Sequence, residues 1–194
     1  MHCGQLLTGT ALALTVGAAS VDAKTPNELR AFRPEADTYV SAAWPETNFG
    51  AMRELRADGS PRQTTYLRFR LRKLSGEITS VVLLLRPTTG ASTSFQVRPV
   101  PEDDWEEDEL TFENAPEASL RYAASKPVRR GIWSAVDVTS FVGEGGGRVS
   151  FAITTRGARG VAFGSRESRR SPRLVVRTKG DGRDKDSKDS KGRS

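Results

Sequence analysis

The sequence predicts an all-β protein, an antiparallel two-sheet β-sandwich, jelly-roll-like, with about nine strands. Three observations carry that prediction. Helical periodicity is almost absent between Lys24 and Thr178. Short runs rich in β-branched and aromatic residues recur through the same stretch, and Gly, Pro, Asn and Ser divide them at the spacing of sandwich strands and turns.

The strands follow in order. "DTYVS" (Asp37–Ser41) opens the series, and "MRELRA" (Met52–Ala57) follows a loop of Pro, Glu, Thr, Asn, Phe and Gly. "TTYLRFRL" (Thr64–Leu71) alternates with a period of two: Leu67, Phe69 and Leu71 share one face, and Tyr66, Arg68 and Arg70 share the other. "ITSVVLLLR" (Ile78–Arg86) is apolar on both faces, as in a central strand covered on both sides, and Pro87 ends it. "SFQVRPV" (Ser94–Val100), "IWSAVDV" (Ile132–Val138), "RVSFAITT" (Arg148–Thr155), "GVAFGS" (Gly160–Ser165) and "PRLVVRT" (Pro172–Thr178) complete the set. "VTSFV" (Val138–Val142) reads as one helical turn ahead of a glycine-rich turn. Two sheets of this size suit a jelly roll or an immunoglobulin-like sandwich. The Cys-Trp-Cys marks of the latter are missing, which favours the jelly roll.

The ends differ from the middle. Leu6–Ala19 is an apolar run of small and aliphatic residues, followed by the small-x-small site Val21-Asp22-Ala23. Residues 1–23 read as a secretory signal peptide, too short for a membrane span, although no Lys or Arg precedes the apolar run. Residues 179–194 have no large apolar side chain and alternate charges with Gly and Ser, the composition of a disordered charged tail. Between them, residues 24–178 are long enough to bury a core. The 194-residue chain carries a formal charge of +6. The first 23 residues hold one acid and no Lys or Arg, and the tail holds six basic and four acidic residues, which leaves +5 on the middle. A balance of that sign favours anionic partners.

One exclusion outweighs any motif. The only cysteine is Cys3 and the only histidine is His2. Once a signal peptide is removed, Cys nucleophiles, Ser-His-Asp triads and His- or Cys-ligated zinc are all ruled out. Chemistry by carboxylates, Lys, Arg and Tyr remains, or none.

The motifs, read together, resemble a known family. Ala36-Asp37-Thr38-Tyr39-Val40 corresponds to an "ADTYV" opening, Asn48-Phe49-Gly50 to an "NFG" loop, and Tyr66–Leu71 to a "YLRFDL" strand. Trp105–Pro116, "WEEDELTFENAP", corresponds to "WSE-x-TLTWNNAP". Asp137-Val138-Thr139 precedes a turn, and Ser165-Arg166-Glu167 with Pro172-Arg173-Leu174 closes the pattern. In this order the set resembles the DNRLRE-domain type of extracellular β-sandwich, also called carbohydrate-binding module family 96. The resemblance implies a jelly-roll fold, no catalysis, and binding to polysaccharide, with alginate-like acidic glycans the leading class. Two positions depart from the pattern: Arg70 stands where the strand has an acid, and Phe112 where the segment has a tryptophan.

Candidate binding residues follow from side-chain chemistry. Trp44, before Pro45 in a loop, is the best candidate to stack on a sugar ring, whereas Trp133 lies inside a strand pattern and reads as core. Arg68 and Arg70 lie about 7 Å apart along one strand face. Arg166, Arg169 and Arg170 cluster with Arg173 in the closing segment. Guanidinium groups match carboxylate and sulfate oxygens two by two, so this set suits a uronic-acid chain; exposed arginines balanced by strand neighbours are the competing reading. Asp37, Asp137 and Glu167, the acids that match the family's motifs, are what the resemblance offers to a structural calcium, although salt-bridged acids, such as Glu167 with Arg68, are the preferred reading, and no cofactor is expected. In "WEEDELTFENAP", Glu107 is expected to accept hydrogen bonds from backbone or Thr111, while Glu106, Asp108 and Glu109 are solvated.

The expected function is that of a secreted, non-catalytic, monomeric module for anionic polysaccharide. It has no membrane span, and the signal peptide argues against nucleic acid. A structural or adhesive cell-surface module is the alternative. A polysaccharide lyase is the third reading. It finds little support, because nothing supplies a cleft between paired carboxylates or a histidine base.

Overall fold

A computed structural model describes residues 27–89, 93–157 and 159–180. The expected signal peptide, residues 1–23, and tail residues 181–194 lie outside them. The described chain is all-β, with eleven strands in two antiparallel sheets.

The smaller sheet has the order β1-β11-β5-β8, formed by Glu28–Phe32, Arg173–Lys179, Glu77–Leu85 and Ser134–Asp137. The larger sheet runs β10-β3-β4-β9-β6-β7, formed by Val161–Gly164, Glu54–Gly59, Arg62–Leu71, Gly147–Thr154, Gln96–Val100 and Ala123–Ala124. Strand β2, Pro34–Ser41, pairs with β4 and completes its seven strands. A single 3-10 turn, Thr139–Phe141, stands where a helical turn is expected.

The sandwich core lies between the sheets. Leu55, Leu67, Phe69, Phe151 and Ile153 of the larger sheet meet Val81, Leu83, Leu85, Leu174 and Val176 of the smaller one, all fully buried. Each large side chain of this kind contributes about 1.5–3 kcal/mol by leaving water. The period of two in β4 explains its position: Leu67, Phe69 and Leu71 enter this core, and Tyr66 and Arg68 point to the opposite face.

That opposite face is also covered. Ala36, Val40, Tyr66, Val100 and Ala152 form a second cluster with Trp105 and Leu110, so the segment after β6 folds across the outside of the larger sheet. The Tyr66 hydroxyl donates to the Pro116 carbonyl at 2.9 Å, and its ring meets Trp105 edge-on at 6.1 Å. Burial pushes the Tyr66 phenol up to about 12.

Two expectations need correction. Strand β5 is covered on one face only: Val81, Leu83 and Leu85 are buried, while Val82 and Leu84 are half-buried. Its apolar run reflects a partly exposed outer sheet face, not a central layer. Trp133 is not core. It is 39% exposed just before β8, and the Arg173 guanidinium lies 5.6 Å from its ring centre. Beyond the nine runs read from the sequence, β1 and the two-residue β7 bring the described strands to eleven.

Candidate functional site

The organising segment is "WEEDELTFENAP". The Trp105 ring is 7% exposed, and its indole N–H donates to Ser150 Oγ at 3.3 Å. A turn follows, with the Leu110 N–H donating to the Glu106 carbonyl at 3.0 Å. Asn114 closes the next turn: its Oδ1 accepts the Thr111 N–H at 2.7 Å and its Nδ2 donates to the Glu109 carbonyl at 3.0 Å. Trp105 and Leu110 thereby fix where the intervening acids point.

Glu107 is the hub. Its Oε1 accepts the backbone N–H of Asp37 at 3.2 Å and Nε of Arg166 at 2.9 Å. The guanidinium of Arg166 also bonds Glu107 Oε2, and its Nε lies 2.9 Å from Glu167 Oε1. Asn48 Nδ2 donates at 2.8 Å to the carbonyls of both Glu107 and Leu110. Gly50 follows because an added Cβ would lie 2.4 Å from the Glu107 carbonyl oxygen. The stacked Tyr39 and Phe49 rings, 4.4 Å apart, hold the same loop against β2. Glu107 thus accepts a backbone hydrogen bond as expected, though its side-chain partner is Arg166 and not Thr111.

Asp37 lies fully buried beside this hub. Its Oδ2 accepts the backbone N–H of Arg166 at 2.7 Å, and its Oδ1 has no hydrogen-bond partner. Burial, with smaller additions from Glu167 and Glu107, pushes the Asp37 carboxyl up to about 8. Burial likewise raises Glu107, outweighing the Arg166 bonds. Glu167 comes to this place with Asp37, but Asp137 does not: it accepts the Thr139 N–H at 2.9 Å and hydroxyl at 2.6 Å beside β8.

Arg68 and Arg70 share a face, as expected, but around an acid. Arg68 Nε, Arg70 Nε and Arg148 Nε lie 3.1, 2.7 and 2.9 Å from the Glu35 carboxylate. Burial opposes the charged form of Glu35. The Arg70 hydrogen bond and the charges of Arg70, Arg68 and Arg148 overcome it and hold the carboxyl below its ordinary range. Arg68 is only 5% exposed. Its guanidinium lies 4.8 Å from the Trp105 ring centre and donates to the carbonyls of Asp103 and Trp105. Glu167 is therefore not its partner. Strand alternation gave its face, but not the segment that folds over that face.

The model of the carbohydrate-binding module family 96 matches residues 28–178, most of the chain and all but the last strand residue of the sandwich. The chain belongs to carbohydrate-binding module family 96. No curated protein matches it.

On this module the remaining candidates are at the surface. Trp44 is 64% exposed in the loop after β2, and Arg166, Arg169 and Arg170 are exposed after β10. Among the described residues Arg169 and Arg170 make no ion pair. Near Trp44 lie Arg62, which the sequence did not single out, and Phe112, which stood out only as a departure from the family pattern. The Arg62 guanidinium lies 4.7 Å from the Phe112 ring centre, and the Phe112 N–H donates to the Pro45 carbonyl at 3.0 Å. The family segment marks Phe112 as its aromatic position, whereas Arg62 lies outside every motif. A groove of about 280 Å³ between β3 and β10 is lined by Glu54, Arg56, Asp58, Gln63, Thr89 and Gly160. Its two acids make it a poor seat for a polyanion. In the hub itself, Asp37 is buried and the Glu107 carboxylate is engaged by the Asp37 N–H and Arg166.

Proposed function

We propose that this module binds an anionic polysaccharide, a uronate-rich chain of the alginate class, as a secreted monomer and without catalysing a reaction. The observation that carries the reading is the junction at Glu107. Through Asn48 it ties down the loop bearing Trp44, and through Arg166 the loop bearing Arg169 and Arg170. An exposed indole and two guanidinium groups with no ion pair among the described residues are thereby held on neighbouring loops of the sandwich. The indole offers a flat apolar face to a sugar ring, and the guanidinium groups offer paired donors to ring carboxylates. Arg68, enclosed by Trp105 and Glu35, takes no contact role in this reading, and Arg70 contributes positive potential beside it. The apolar Leu6–Ala19 run and the common extracellular use of such modules support secretion.

Affinity electrophoresis through gels containing alginate, polygalacturonate or a neutral glucan tests the reading. The wild-type protein is retarded by the acidic gels. Trp44→Ala and the double variant Arg169→Ala/Arg170→Ala each weaken retardation about tenfold, equivalent to about 1.4 kcal/mol. Retardation by the neutral glucan alone overturns the anionic specificity, and no retardation by any acidic glycan at low salt overturns the proposal.

A further inference from the structure

Three carboxylates from separate parts of the chain converge at the Glu107 junction. One oxygen from each of Asp37, Glu107 and Glu167 lies within 4.8 Å of the others. Oxygens that share one calcium ion at about 2.3–2.6 Å stand up to about 5 Å apart, so the spacing fits a common ion.

Proximity alone would not make a site, because surface acids often gather. The second observation is Asp37 itself. Its side chain is fully buried, is turned into this group, and leaves Oδ1 without a hydrogen-bond donor. An unpartnered buried carboxylate oxygen is costly, and native folds rarely tolerate one without a ligand. The local charge points the same way. Among the described residues Arg166 is the one cation bonded to the group, against three carboxylates, which gives a formal −2. A divalent cation cancels that charge.

The donors are all oxygen, and the described residues contain no His or Cys, which selects a hard cation. The acids come from a strand, a turn and a loop, one buried, one half-buried and one exposed. Such irregular, partly wet surroundings suit calcium, which accepts six to eight oxygens, better than magnesium, which demands a near-ideal octahedron. We propose that Asp37, Glu107 and Glu167 bind one calcium ion, which fastens the edge of β2 to the segment after β6 and to the loop after β10.

The test uses the full chain stripped with EDTA, with no glycan present, so it stands apart from the glycan reading. Calcium chloride or magnesium chloride is added at matched ionic strength, Tm is followed by calorimetry, and bound metal is counted by mass spectrometry after gel filtration. We expect one calcium per chain and a Tm rise of about 2–4 °C or more, with a smaller response to magnesium. Glu167 is exposed, so Glu167→Gln folds and loses the calcium-dependent rise. Glu102→Gln, exposed and outside the group, keeps it. An unchanged wild-type Tm in millimolar calcium, or a full rise retained by Glu167→Gln, overturns the proposal.

Discussion

The carboxylate of Glu107 accepts the backbone N–H of Asp37 at 3.2 Å, across 70 residues of chain. Strand β2 pairs with β4 on one side, so its other edge presents unpaired backbone donors, and Glu107 covers one of them. The bond makes a loop segment into an edge cover. Glu107→Gln keeps an acceptor but loses the charge that holds Arg166. We expect a stability loss of about 1–3 kcal/mol by urea denaturation in EDTA, with glycan retardation preserved. Unchanged stability together with lost retardation would move Glu107 into the binding surface.

Gly50→Ala tests how closely the "NFG" loop approaches that segment. The new methyl would sit 2.4 Å from the Glu107 carbonyl oxygen, and backbone must move to admit it. The expected cost is about 1–3 kcal/mol, read as a lower midpoint of chemical unfolding at an unchanged m-value. A variant as stable as wild type would show that the loop stands off from the segment.

Arg68 and Arg70 separate by burial. Arg68→Ala leaves a void under Trp105 and removes a cation from the Glu35 cluster, at a cost of about 3 kcal/mol. Arg70→Ala removes a half-exposed partner of the same acid and costs less. Equal losses in parallel calorimetric scans would contradict the enclosed position of Arg68.

These residues also show what the sequence could tell. The alternation in "TTYLRFRL" placed Leu67, Phe69 and Leu71 in the core and set Arg68 beside Arg70, because a strand's period of two is local geometry. It could not tell that residues 101–118 return over the polar face, a contact that spans more than thirty residues. Strand β1 escaped because its pattern misleads: Leu29 is 63% exposed, while the polar Glu28 and Arg30 of the other face are half-buried. Likewise, Asp37 and Glu167 were legible as acids of interest. Their third companion is Glu107 and not Asp137, since convergence of distant loops leaves no spacing in the chain.

Asp137 supplies the pH dependence. The Thr139 hydroxyl, then the Thr139 N–H, bond its carboxylate and hold it below the ordinary value of 3.8, against a small opposing effect of burial. A depressed carboxyl stabilises the fold above its unfolded value, and the contribution is lost as pH falls through the folded value. Asp137→Asn is therefore less stable than wild type at pH 7, by about 0.5–1 kcal/mol, and the difference closes below about pH 3.8. A gap that stays constant across that range, measured by urea denaturation at each pH, would show that the charge is not what holds the turn.

The central claim, anionic glycan binding by exposed arginines on a rigid module, is tested most directly by salt. Isothermal titration calorimetry with a uronate oligosaccharide and with a neutral oligosaccharide of equal length, at low and high sodium chloride, reads it in one experiment. Exposed charge contacts are screened when the Debye length falls from about 10 Å at 0.1 M to about 3 Å at 1 M. The account predicts binding of the uronate at low salt, a tenfold or greater loss at high salt, and no measurable heat with the neutral chain. Affinity for the uronate that survives high salt undiminished, or equal affinity for the neutral chain, would contradict it.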